Sequence, residues 1–248
     1  MKKSAVVVLS GGQDSVTCLG WALKKFDQVF AIGFDYAQKH KIELQQAKAI
    51  CKKHDIPFAI MSIPALVDLG DSALVSTNSL KDKNVSAKHH RNPNLPASFV
   101  PNRNALFLTT AHAYAQKVGA DTIITGVCET DFSGYPDCRQ VFICSLEAAL
   151  NIGYQTDIHI VTPLMYLDKA QTFALAEKVG FLQTVLEESH TCYNGDREHN
   201  HDWGYGCGEC PACKLRAKGF AEYLESKEAA EMPTTETPAA GDEKEEHF

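Results

Sequence analysis

Short unbroken apolar runs alternate with stretches of helical period along most of the chain. Residues 5–9, Ala-Val-Val-Val-Leu, are apolar throughout, the pattern of a parallel strand covered on both faces. Residues 29–34 and 58–63 predict the next two strands. Between them a helix over 41–54 sets Leu44, Ala47 and Cys51 on one stripe. Residues 122–125 and 158–161 complete a five-stranded set, and the helix between them carries Phe142, Leu146, Ala149 and Leu150, with Gly153 near its end. A later helix over 168–179 is closed by Gly180. Strands separated by helices require right-handed crossovers, so the expected fold class is α/β, a doubly wound parallel five-stranded sheet.

Two stretches break this rhythm. Residues 64–101 are rich in Ser, Asn, Asp and Lys, and a connection that long reads as a lid over a ligand. Residues 189–213 hold a cluster of cysteines. The opening Met1-Lys2-Lys3 reads as the lead into a first strand and not as a signal peptide, because Ser10-Gly11-Gly12 follows the apolar run at once.

Composition changes the picture at the far end. The 248 residues are 44% hydrophobic and 22% charged, ordinary for a globular protein, with net charge −7. Residues 226–248 contain seven acids against two bases, which leaves residues 1–225 close to neutral. A broad nucleic-acid face is therefore not expected, and neither is a membrane span. The expected division is a nucleotide-binding domain over 1–188, a small helical appendage over 189–225 and a disordered acidic tail over 226–248.

The strongest chemical signal is Ser10-Gly11-Gly12-Gln13-Asp14-Ser15, between the first strand and a helix. Glycines let the backbone turn its N–H groups toward a ligand, and the helix start adds its positive end, together a socket for pyrophosphate. Ser10 and Ser15 can donate hydroxyls to the same oxygens, and Asp14 could hold Mg²⁺ or cap the helix. An ordinary tight turn with a cap is the bland alternative. Neither G-x-x-x-x-G-K-[ST] nor G-x-G-x-x-G occurs, so P-loop phosphoryl transfer and a dinucleotide fold lack support.

Of nine cysteines, Cys18, Cys51, Cys128, Cys138 and Cys144 are scattered, whereas Cys192, Cys207, Cys210 and Cys213 crowd together. C-x₁₄-C-x₂-C-x₂-C can bring four thiolates to one tetrahedral point, which suits a closed structural Zn²⁺ site in a reducing cytoplasm. An iron–sulfur cluster is the rival, but ferredoxin-type runs place the next cysteine downstream. His199 and His201 read as solvated loop residues, since four cysteines already fill such a site.

After the fourth strand, residues 126–139 sit where ligands of such sheets bind. Glu129 and Asp131 could accept hydrogen bonds from a guanine-like edge, Phe132 or Tyr135 could stack on a base, and Arg139 could meet a carboxylate or phosphate. A polar turn punctuated by Gly134-Tyr135-Pro136 explains the same residues equally well. Arg103 could contact phosphates or an acyl-adenylate, with Asn104 capping the helix that follows, or both could serve only as surface caps.

The Ser-Gly-Gly-x-Asp-Ser turn resembles that of the pyrophosphatase-loop ATPases, which split ATP between its α and β phosphates. Together with Gly126-Val-Cys-Glu-Thr-Asp-Phe-Ser-Gly-Tyr-Pro-Asp-Cys-Arg139 and the cysteine spacing, it resembles the QueC family of queuosine biosynthesis over residues 4 to 224. That resemblance implies an adenine-nucleotide alpha-hydrolase-like fold and a ligase forming carbon–nitrogen bonds. It implies that 7-carboxy-7-deazaguanine is adenylated, aminated by ammonia, adenylated again on the amide oxygen and released as the nitrile. It assigns ATP to Val8, Leu9, Ser10, Gly11, Gly12, Gln13, Asp14, Ser15, Val16, Thr17 and Cys18, and zinc to the four clustered cysteines. Asp14, Ser15 and Arg103 become the catalytic candidates, Mg²⁺ an accompanying ion, and a homodimer the expected assembly. The gap after Cys192 and the acidic tail depart from the family pattern. A tRNA-modifying relative would need a basic face, and a zinc-knuckle nucleic-acid binder would leave the phosphate turn unexplained.

Overall fold

The computed structural model describes residues 2–36, 42–64, 66, 88–89, 92–96, 99–130 and 135–231. Its centre is a five-stranded sheet of β1 (Ser4–Val8), β2 (Gln28–Asp35), β3 (Phe58–Ser62), β6 (Thr122–Ile124) and β7 (His159–Val161). The order is β3-β2-β1-β6-β7 and every pairing is parallel. Between them in sequence lies a small antiparallel pair, β4 (Lys88–His89) and β5 (Asn92–Pro96). That pair falls inside the expected lid, most of which lies outside the described residues.

The unbroken apolar run of β1 has two faces to cover. Ala5, Val7 and Leu9 enter one core and Val6 the other, all fully buried. Fully burying each such side chain contributes roughly 1.5–3 kcal/mol, which is why no polar residue interrupts the run. The first core is roofed by α1 (Gln13–Lys25), α2 (Ile42–Lys53), α5 (Lys169–Lys178), α6 (Leu182–Glu188) and α7 (Pro211–Glu231). The second is roofed by α3 (Arg103–Val118) and α4 (Gln140–Tyr154). The chain leaves β1 toward β2 on one side and returns to β6 on the other. The topological switch therefore falls between the carboxyl ends of β1 and β6.

Three local expectations change. In α4 the buried position is Ile143, with Phe142 and Leu146 packed beside it, whereas Ala149 faces solvent. The helix lies on the sheet along Ile143, Leu146 and Leu150, and Ala149 falls on its outer side. Gly153 lies near the end of the helix, as expected, and the left-handed residue after it is Gln155 (φ 55°). Residues 226–231, expected to be irregular, extend α7 to Glu231. Ser226-Lys-Glu-Ala-Ala-Glu231 has no glycine or proline and is mostly strong helix formers; the tail beyond 231 lies outside the described residues. Helix α7, expected in an appendage, also sends Phe220 and Tyr223 into the first core against Phe173 at ring distances of 5.1 and 6.1 Å. Among the described residues no helix is long and apolar enough to cross a membrane.

Candidate functional site

The expected phosphate turn grows directly from β1. Leu9 N–H still donates to Ile32 O (2.8 Å), then Gly11 takes φ +95° and Gly12 becomes the extended N-cap of α1. Only glycine holds that φ without strain, and a Cβ on Gly11 would also lie 2.1 Å from Glu43 O. The hydroxyls knit the turn together. Gly11 N–H donates to Ser15 Oγ (3.1 Å), Gly12 N–H to Ser10 Oγ (3.3 Å), and the two hydroxyl oxygens lie 3.1 Å apart. Ser10 is exposed and Gly12 and Asp14 are half-buried, so these face the crevice. The side chains of Leu9, Gln13, Val16, Thr17 and Cys18 are buried, and Val8 is partly so. These six frame the turn from behind. Gly126, after β6, closes the other wall: a Cβ there would meet the Asp14–Ser15 backbone at 3.1–3.2 Å.

Asp14 does not cap α1, whose N-cap makes no side-chain bond. Both of its oxygens accept from Lys169 Nζ, at 2.9 and 2.8 Å. Lys169 opens α5 behind a capping box made by Asp168 and Gln171. A cation at a helix N-terminus opposes the helix dipole, and the Asp14 carboxylate offsets that repulsion. Sequence reading missed Lys169, whose only signal is its place next to a capping residue.

A second ring of groups gathers about Arg103 at the start of α3. Burial pulls the guanidinium down, but Tyr36, Tyr135, Asp137 and Cys138 around it outweigh burial and hold it charged. Its carbon lies 5.9 Å from the centre of the Tyr135 ring. Asn104 does not cap its own helix. The Asn104 N–H donates to Asp137 Oδ2 (3.2 Å) and its amide to Asp137 O (3.3 Å), so the post-β6 loop is pinned to α3 through Asp137. Burial raises the Asp137 carboxyl, opposed by the Asn104 hydrogen bonds and Arg103.

The expected base-reading residues divide. Tyr135 joins the Arg103 group; Asp131 and Phe132 lie outside the described residues. Glu129 is exposed and accepts Gln140 N–H at 3.2 Å, acting on the start of α4, and Arg139 is the exposed N-cap of that helix. Two groups that sequence reading passed over also face Arg103: Glu43, second residue of α2, and Tyr193, directly after Cys192. Burial, partly offset by Arg103, pushes the Glu43 carboxyl up to about 7. The polar, unremarkable setting of Glu43 at a helix start carried no signal in one sequence.

Behind the turn, residues 189–191 run back against it. His190 N–H donates to Gly11 O (2.9 Å) and Gln13 N–H points to Thr191 Oγ1 (3.4 Å). Arg216, from α7 and 1% exposed, donates to Ser189 Oγ (2.9 Å), Thr191 Oγ1 (3.0 Å), Trp203 O (2.8 Å) and Val185 O (2.7 Å). Burial lowers its pKa to about 10, so it is charged at neutrality.

The four cysteines that begin at Cys192 converge: their sulfurs all lie within 4.8 Å of one another. Thiolates at about 2.3 Å from one tetrahedral ion would be about 3.8 Å apart, so one ion fits this set. Cys210 N–H and Cys213 N–H point to the sulfurs of Cys207 and Cys210, each at 3.4 Å, and Gly208 bends the knuckle at φ +72°. Burial pushes the Cys207 thiol up, but the Cys210 and Glu209 amides outweigh it and bring it below the ordinary thiol range. His199 is paired with Asp196 and His201 is stacked on Trp203 (4.4 Å), so neither is in the set.

Comparison with known proteins places the whole of this region in one family. A family model described as queuosine biosynthesis protein QueC matches residues 4–224. A 7-cyano-7-deazaguanine synthase of Wolinella succinogenes is 58% identical over 223 residues, covering 90% of this chain and 94% of that protein. One from Helicobacter pylori is 50% identical over 222 residues, 89% of this chain and 96% of the relative. One from Clostridium botulinum is 48% identical over 222 residues, 90% and 96% of the two chains.

Proposed function

The chain belongs to the QueC family, and we propose that it is a ligase that makes 7-cyano-7-deazaguanine from 7-carboxy-7-deazaguanine and ammonia, with ATP activating the oxygen to be lost. The observation that carries the ATP half of this reading is the glycine turn at the switch point, which gathers its amides, the Ser10 and Ser15 hydroxyls and a helix start within six residues. A diphosphate seated there takes over the N–H groups that Ser10 and Ser15 occupy. The α-phosphorus then lies toward β6 and Arg103, open to attack by the substrate carboxylate.

The acid is adenylated and pyrophosphate leaves. Ammonia attacks the acyl carbon, one N–H proton is lost, and AMP departs to give the amide. The amide oxygen attacks a second ATP, and loss of two N–H protons with a second AMP leaves the nitrile. Arg103, held charged, balances the acyl phosphate, and Tyr135 is the stacking surface nearest to it. Glu129 and Asp131 remain the candidates for the guanine edge, Phe132 for stacking on the base, and Arg139 for a carboxylate or phosphate. Asp14 would hold a Mg²⁺ accompanying the triphosphate only by exchanging its Lys169 partner.

The cysteines would hold Zn²⁺, which supplies a rigid crosslink and no open coordination position. Nine free thiols, four of them crowded without bonding in pairs, fit a reducing compartment such as the cytoplasm. A homodimer is supported by α4, which exposes Val141 (71%), Ile152 (79%) and Tyr154 (67%).

The test is incubation of the purified protein with ATP, ammonia and the deazaguanine acid. The expected products are AMP, pyrophosphate and a nitrile identified by mass. Release of ADP in place of AMP overturns the reading. Metal content measured on the same sample should be one zinc per chain.

A further inference from the structure

Every nitrogen step in the proposed reaction sheds protons, and the reaction needs a group to take them. Three carboxyls close to the crevice already have other work. Asp14 is held by Lys169 through both oxygens, Asp137 accepts the Asn104 amide, and Glu129 accepts the Gln140 amide out in solvent. Glu43 differs from all three in position and surroundings.

Its main chain is braced by the phosphate turn, because Glu43 O packs where a Cβ of Gly11 would stand. Its side chain is half-buried and faces the Arg103 guanidinium from α3. The other described ionisable groups that face it are the phenols of Tyr36, just past β2, and Tyr193, from the segment after Cys192. Tyr36 is itself hydrogen-bonded to Arg103 and tilts on Phe107 at 5.6 Å. Glu43 thus stands between the diphosphate socket and the Arg103 group, which would lie on the leaving-group and acyl sides of the α-phosphorus.

We propose that Glu43 is the proton acceptor for both nitrogen steps. The inference rests on the reaction assigned above. In the first step the ammonia lone pair forms the C–N bond at the acyl carbon. The Glu43 carboxylate takes one N–H proton and becomes the acid, the carbonyl re-forms, and the C–O bond to AMP breaks. Glu43 then releases that proton to solvent before the second step. In the second, Glu43 takes an N–H proton from the O-adenylated amide. The N–H electron pair becomes part of the carbon–nitrogen triple bond as the C–O bond breaks, AMP leaves, and the remaining nitrogen proton passes to water. No oxidant or further reactant is required.

A carboxylate in the first turn of a helix is ordinarily stabilised by the amides there. Around Glu43 desolvation wins even against Arg103, and its carboxyl is pushed up to about 7. An acid with that value takes and returns protons near neutral pH, where a base of ordinary glutamate strength holds them poorly.

The amide half-reaction separates this proposal from the reading beneath it, because it consumes no ammonia and its pH profile reports the enzyme. Wild-type nitrile formation from supplied amide is expected to rise with pH through about 7 and then level. In Glu43→Gln that limb disappears and the rate falls about 10²–10⁴-fold. Exchange of labelled pyrophosphate into ATP, driven by the acid alone, moves no N–H proton and should stay within about threefold of wild type. Retained exchange also proves that the variant is folded. Glu43→Asp should keep the pH limb at a reduced rate. An undiminished nitrile rate in Glu43→Gln, or loss of exchange and nitrile formation in equal measure in both variants, overturns the proposal. If the wild type itself supports no exchange, the adenylation reading fails.

Discussion

The phosphate turn and the cysteine turn are built with one local device and put to opposite ends. Each bends the backbone at a positive-φ glycine, Gly11 or Gly208, so that polar atoms converge. In the cysteine turn, backbone amides point at sulfurs within the same knuckle, and four thiolates close the space. The phosphate turn leaves its ligand side open, and beyond its own Ser10 and Ser15 hydroxyls it is braced from elsewhere: Glu43 and Gly126 from other elements, Lys169 on Asp14, His190 on Gly11. A site that must bind and release a ligand cannot be held by that ligand, so the fold holds it. A structural ion can hold its own site. Arg216 lies between them, feeling both Asp14 and Cys213, and its hydrogen bonds tie the cysteine side to the segment that braces the turn.

The largest effect should come from the closed site. Cys210→Ser leaves three thiolates, and because metal affinity of such sites is folding energy, on the order of 10 kcal/mol in small zinc domains, we expect zinc to be lost and the cooperative melt abolished. Zinc content and circular dichroism on heating check it; a variant that melts normally without zinc breaks the contrast. Next is Arg216→Met, which deprives Ser189, Thr191, Trp203 and Val185 of a donor in a site 1% exposed. Losing several buried hydrogen bonds at once should destabilise by about 3–5 kcal/mol in urea titration and raise the KM for ATP. Loss of stability with the KM for ATP unchanged means that the cysteine side does not brace the turn.

Gly11→Ala strikes the open site alone. The φ of +95° and the Glu43 carbonyl each oppose a side chain, so the loss should be about 2–4 kcal/mol in the same titration. Zinc content should stay at one per chain. A variant that sheds zinc shows the two turns to be one cooperative unit, which erases the difference between them.

How much of this was legible in sequence depends on the range of the interaction. The first strand, 5–9, was legible because an element buried on two faces permits no polar residue, and the later strands because their short runs are dominated by β-branched and other apolar residues. The phosphate and cysteine turns were legible because the first is six contiguous residues and three of the four cysteines fall within seven. The stripe on α4 was misplaced by one position at Ala149 because alanine is compatible with either side of a helix. Lys169, Arg216 and Glu43 could not be found, since each acts on a residue tens to more than a hundred positions away. Asn104 looked like a cap and instead reaches Asp137 across to another loop.

The smallest effect is a difference in the sign of pH dependence between the two turns. Acid protonates thiolates, so zinc retention on the cysteine side weakens as pH falls. Glu43 runs the other way. Its folded value of about 7 lies above the ordinary 4.5, so the folded state binds its proton more tightly than the unfolded chain does. The stability that this proton contributes is fully present below about 4.5 and is lost as pH rises through about 7. Glu43→Gln removes the ionisation, so the variant should match wild type near pH 4 and exceed it by up to about 3 kcal/mol near pH 8, in paired urea titrations with zinc present. Equal stability at both values would mean that Arg103 already compensates the buried charge, leaving a carboxylate of ordinary strength. A gain at pH 8 accompanied by lost nitrile formation would make Glu43 a residue whose strain serves the reaction and not the fold.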